Sequence, residues 1–154
     1  MLTVESPRVV ARPASVLKAS LAYAGLAFLG GFVFGTIREL WLRPELGRNL
    51  ALTLEAPFVI GVSLLAAFYV LRRWPVSVDL GARLQMGALS LAVLLGLEDA
   101  LTWWLRGRSV FDYWSTFDAW AQAVNVLGLL AFAALPLLVR RARRGVGGRG
   151  TPVT

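Results

Sequence analysis

The charges of this chain are gathered into short clumps, and the stretches between the clumps are long. Ala19 to Ile37 gives 19 residues without a charge, Asn49 to Leu71 gives 23 with Glu55 alone, Leu84 to Leu97 gives 14, and Ala119 to Val139 gives 21. The third run reaches Leu105 if Glu98 and Asp99 are admitted to it. A helix needs about 20 mostly apolar residues to cross a bilayer core of roughly 30 Å. The spacing therefore predicts four transmembrane helices, near residues 15–41, 49–72, 82–106 and 116–140. Strands are excluded, because the runs lack period-two alternation and are rich in Ala and Leu rather than β-branched residues. The fold class expected is all-α, an integral membrane antiparallel four-helix bundle over residues 15–140. A segment 1–14 precedes it, and a Gly- and Arg-rich tail 141–154 follows, expected to be disordered. The first run has basic residues before it but is too long for the apolar core of a signal peptide, so it is read as a retained span.

Composition narrows the chemistry. Of 154 residues 57% are hydrophobic and 16% charged, with a mean hydropathy of +0.65, more apolar than an ordinary water-soluble domain. There is no cysteine and no histidine. Disulfides, thiol nucleophiles, His-based acid–base catalysis, haem on His or Cys and ordinary zinc sites are thereby excluded. No catalytic residue, metal ligand or cofactor is expected. The formal net charge of +7 raises the question of nucleic acid. No aromatic residues are interleaved with the tail arginines to stack on bases, so a nucleic-acid partner is set aside.

The basic residues do indicate an orientation. Arg8, Arg12, Lys18, Arg72, Arg73, Arg83, Arg140, Arg141, Arg143, Arg144 and Arg149 fall on one side of the four spans. Arg38, Arg43, Arg48, Arg106 and Arg108 fall on the other. Positive residues favour the cytoplasmic face, so both termini are expected there. Trp41, Trp103, Trp104, Trp114 and Trp120 all sit at the opposite, outer ends, a one-sided interfacial belt.

Charged residues inside a span cost about 2.5–3.5 kcal/mol each near its centre, so each calls for a reason. Glu55 lies six residues past Asn49, Glu98 seven short of Leu105, and Asn125 seven past Asp118. At 1.5 Å per residue all three stand about 9–10 Å below the outer ends. Asp118, Gln122 and Asn125 share a helix face, as do Gly31, Gly35 and Arg38. Gly31 and Gly35 form a small-xxx-small pattern, whose usual use is close helix packing. The expectation is a buried polar cluster of Arg38, Glu55, Glu98 and Asp99, with Gln122 and Asn125 alongside. Arg38 is its natural counter-ion, and it leaves at least one carboxylate without a partner. Asp99 stands about 100° from Glu98, so only one of the two is expected to point fully inward.

Gly30-Gly31-Phe32-Val33-Phe34-Gly35-Thr36-Ile37-Arg38 resembles the first helix of small dual-topology fluoride channels, but the likeness ends there. The second helix reads Leu54-Glu55-Ala56-Pro57 in place of their asparagine, the third lacks their Thr/Ser-rich break, and the charge bias opposes dual topology. Gly35-Thr36-Ile37-Arg38, Arg43-Pro44-Glu45-Leu46-Gly47 and Leu54-Glu55-Ala56-Pro57, with Met86-Gly87-Ala88-Leu89 and Ala131-Phe132-Ala133-Ala134-Leu135-Pro136, resemble small four-helix inner-membrane proteins of bacteria. The resemblance runs from about Ala22 to Arg140. It implies the architecture and a bacterial inner-membrane location, and implies no reaction.

The function expected is that of a small non-enzymatic membrane protein, an accessory or binding protein. Its polar cluster would hold a ligand, a lipid headgroup or a partner subunit. Membrane lipids, a second copy of the chain or another membrane protein are the partners considered. One rival is a proton- or cation-responsive transporter or channel component working as an oligomer through Glu55 and Glu98. Another is an intramembrane lipid-modifying enzyme using carboxylates. The plain alternative is that an Arg–Glu pair only fixes helix register.

Overall fold

The computed structural model describes residues 13–74 and 76–139. The expected N-terminal segment, apart from its last two residues, and the expected tail lie outside the described residues. Within them the chain is all-helical, with no strand. Four long helices are present: α1 (Pro13–Ile37), α2 (Arg43–Arg73), α3 (Leu80–Arg106) and α5 (Ala119–Leu138). A short helix α4 (Val110–Trp114) stands between α3 and α5. Three helical segments are long and apolar enough to cross a membrane: Ala14–Arg73, which contains both α1 and α2, Leu80–Arg106 and Ala119–Leu138.

The connection between α1 and α2 differs from the turn expected at residues 42–48. A π-helical segment, Arg38–Leu42, continues α1 directly into α2. Ile37 (φ −59°, ψ −45°) and Arg43 (φ −65°, ψ −41°) both keep helical angles. Pro44, which has no N–H to donate to the helix that precedes it, sits in the first turn of α2. The break comes at Gly47, at φ 77° and ψ 168°, a region essentially reserved for glycine.

The other helix ends follow from local chemistry. Asp79 caps α3 by accepting from the Gly81 N–H at 3.1 Å. Gly107 closes α3 in the left-handed region at φ 65°, donating its N–H to the Trp103 carbonyl at 2.8 Å. Ser109 caps α4, and Asp118 caps α5 by accepting from the Ala121 N–H at 2.9 Å. The fourth helix, expected over 116–140, is thereby trimmed at both ends.

Packing joins the four long helices in a ring: α1 meets α2 and α3, and α5 meets α2 and α3. One half of the ring is filled solid by Val16, Ala19, Tyr23, Val70, Met86 and Phe132. Tyr23 reaches across it from α1 to α5. Its ring stacks on Phe132 with centroids 4.5 Å apart, and its hydroxyl donates to the Phe132 carbonyl at 2.8 Å. Small residues bring backbones together. Gly87 packs directly on the Ala133 carbonyl, and Gly30 on the Val62 side chain, so neither has room for a Cβ. Ser20 and Ser90 bridge α1 and α3, each hydroxyl near the other helix's carbonyl as well as its own. Arg83 is buried at the same end and donates to the carbonyls of Ser77 (3.0 Å) and Pro136 (3.1 Å), closing the last turn of α5.

Outward, the surface is apolar. Leu29, Phe58, Leu65, Leu127 and Leu130 are all exposed, Leu65 at 68%.

Candidate internal binding site

The half of the ring that is not filled holds a cavity of about 440 Å³, walled by all four long helices, α4 and the π-helical segment. Its wall is graded. At one level stand Arg38, Glu39, Glu55, Glu98 and Asn125, and beyond them Phe28, Leu94 and Phe132 form an apolar floor. Phe132 lies seven residues past Asn125 on α5, about 10 Å deeper along the helix.

The charged level is a connected chain of ion pairs. Arg38 Nη1 donates to Glu55 Oε2 at 2.6 Å, and Glu55 is only 7% exposed. Arg38 Nη2 lies 3.3 Å from Glu39 Oε1. Glu39 Oε2 accepts from Arg43 Nη1 at 2.6 Å, one helical turn on, and has Arg106 Nη2 at 3.8 Å. The Tyr113 hydroxyl lies 3.4 Å from Glu39 Oε1, and the Arg106 guanidinium covers the Tyr113 ring 4.4 Å from its centroid. Glu39 is thus the hub of the network, ringed by three arginines.

Glu98 is placed differently. It lines the cavity within Coulombic reach of Arg38 and Glu55, yet has no hydrogen bond or ion pair among the described residues. Ser63, 3% exposed, also lines the cavity with no hydrogen-bond partner among them. Ser20, Thr36, Thr53 and Ser90 each turn their hydroxyls back to a carbonyl four residues earlier, and Ser63 does not.

The expected cluster is therefore brought together in part. Arg38 and Glu55 pair, and Glu98 and Asn125 face the same space. Asp99 stands outside: its Oδ1 accepts from the Val110 N–H at 2.8 Å and ties α4 to α3. The roughly 100° between neighbours on a helix sends the two acids to different tasks. Gln122 also stands outside, exposed, with its amide donating to the Phe117 carbonyl at 3.1 Å. The stripe on α5 fails at its start because Asp118 is a cap, bound to Asn49 Nδ2 at 2.7 Å, rather than a residue within the helix.

The packing expected of Gly31 and Gly35 is corrected as well. Both line the cavity; a Cβ on Gly31 would meet nothing within 4 Å, and one on Gly35 only Glu55 Oε1 at 3.7 Å. Close approach belongs to Gly30, one position around the helix, and to Gly87. Of the tryptophans, Trp41, Trp103, Trp104 and Trp120 are exposed, and Trp120 Nε1 donates to Thr53 Oγ1 at 3.1 Å. Trp114 is drawn into the cavity wall.

Sequence reasoning missed Glu39, Arg106 and Tyr113. The Glu39–Arg43 spacing of four was a visible signal, but an unbroken α-helix would turn Glu39 about 100° from Arg38. In the π-helical segment both side chains reach the cavity. No three of the described acids converge as a metal centre requires. Compared with models of protein families, with curated proteins and with solved structures, the chain matches none.

Proposed function

We propose that this is a non-enzymatic integral membrane protein whose internal cavity binds an amphiphile, a lipid or lipid-like molecule with a polar head. In this reading α1, α2, α3 and α5 cross a bacterial inner membrane antiparallel to one another, with both termini on the cytoplasmic side. Several features support it: three helical segments of spanning length and apolarity, outward-facing Leu and Phe around the ring, and the bias of basic residues to one side.

The observation that carries the binding reading is the cavity itself. A space of about 440 Å³ falls in the range of ligand pockets, roughly 300–1,000 Å³. One end is charged and the other apolar, the profile of a molecule with a head and a tail. A pair that only fixed helix register would need neither the space nor the unpaired Glu98.

Native mass spectrometry of the protein released from its own membranes tests this. A retained added mass that disappears in Gly31→Leu, which fills the cavity where a side chain meets open space, supports the proposal. A bare chain in the wild type overturns it and leaves Arg38–Glu55 as a packing pair.

A further inference from the structure

The charges around the cavity are unevenly shared. Two arginines, Arg38 and Arg106, face three carboxylates, Glu39, Glu55 and Glu98. Arg38 is committed to Glu55 and Glu39, and Arg106 lies against Glu39. Arg43, the remaining cation of the network, is held by Glu39 at 2.6 Å. None of the three arginines forms an ion pair with Glu98, although Arg38 stands within Coulombic reach of it. A carboxylate partly withdrawn from water is costly unless a cation or a hydrogen-bond donor meets it or it takes up a proton. The unpartnered hydroxyl of Ser63, 3% exposed, faces the same void. Glu98 thus lines the space with no ion-pair or hydrogen-bond partner among the described residues, and a molecule that enters the space can supply one.

Resting on the amphiphile-binding reading above, we infer that the cavity selects a cationic amphiphile, an ammonium head held by the Glu98 carboxylate with an apolar tail directed to Phe28, Leu94 and Phe132. An anionic head would be repelled by Glu98 and would have to draw Arg106 from its 3.8 Å contact with Glu39. A neutral head would leave the carboxylate unmatched. The tail side is free of charge: from Glu98, Leu94 is one helical turn deeper, and the floor beyond it is aromatic and aliphatic apart from the Ser63 hydroxyl, eight residues past Glu55 on α2. Trp114, the last residue of α4 and part of the wall, adds the type of ring that attracts ammonium groups best.

The experiment is native mass spectrometry at neutral pH from neutral maltoside micelles. The chain is offered in turn dodecylamine, dodecyl sulfate and dodecanol, with phosphatidylethanolamine as competitor. Wild type is expected to retain one dodecylammonium per chain in preference to the sulfate and the alcohol. Glu98→Gln should weaken that retention by roughly tenfold or more, the loss of a charge-assisted hydrogen bond. Gly31→Leu, which blocks the tail and leaves the charges alone, should abolish it. Displacement by phosphatidylethanolamine supports a lipid headgroup as the ammonium source, and failure of displacement supports a free amine. Equal retention of all three probes, or full retention of the amine by Glu98→Gln, overturns the cationic selection and leaves amphiphile binding standing. Retention of no probe by wild type overturns amphiphile binding as well.

Discussion

Arg38 and Glu55 lie 17 residues apart in the chain and meet at 2.6 Å, with Glu55 all but withdrawn from solvent. Removing one member of such a pair strands the other charge, whereas removing both does not. Arg38→Ala and Glu55→Ala should therefore each destabilise by about 3–5 kcal/mol, with the double variant recovering part of the loss. Thermal unfolding in detergent measures the cycle. Single variants that melt with wild type would mean the pair is energetically silent.

Two glycines in the helices should respond oppositely to alanine. In Gly87→Ala the new methyl meets the Ala133 carbonyl, a backbone atom that cannot step aside. The expected cost is about 1–3 kcal/mol, the usual price of overpacking. Gly31→Ala meets open space and should stabilise by up to about 1 kcal/mol through helix propensity. Melting curves of the two variants give the comparison directly.

Asp118 gives the protein an acid-sensitive joint outside the apolar helices. The backbone N–H of Ala121 and then the Asn49 amide hold its carboxyl below the usual aspartate range. A lowered folded-state value means the stabilisation is present above the ordinary aspartate range, near pH 4, and is lost as pH falls through the folded value. Wild type should thus lose melting temperature relative to Asp118→Asn only under acid conditions. Parallel melts from pH 7 down to about pH 3 test the sign.

Asp99 should prove a local fastener. Asp99→Ala removes the acceptor of the Val110 N–H, at a cost of about 1 kcal/mol. Hydrogen exchange should quicken in Val110–Trp114 while the Tyr23–Phe132 region keeps its protection. Uniform acceleration over the chain would show Asp99 supporting the whole fold instead.

The four helices were legible because the order of charge clumps and apolar runs marks them, and Arg38 was legible as a counter-ion because it shares a helix face with Gly31 and Gly35. The sites that escaped depend on rotation about a helix axis. Glu39 lines the cavity beside Arg38 from the π-helical segment, and nothing in the residue types of Arg38 to Leu42 announces that segment. Gly30 and Gly31 are chemically identical, and only the neighbouring helix decides which one packs and which one faces space. Asp99 looked like a member of the polar cluster and Asp118 like the start of the stripe beside it, yet each serves a helix start, a task that depends on where the preceding loop ends.

The Tyr23–Phe132 contact bears on the order of biosynthesis. Arg38 finds Glu55 within 17 residues, so those charges can neutralise one another while most of the chain is still untranslated. Tyr23 must wait for a carbonyl 109 residues downstream. Until α5 emerges from the ribosome, the slot beside α1 stays open and its phenol unmatched. The Arg38–Glu55 pair is thus available early, and the Tyr23–Phe132 contact is made last.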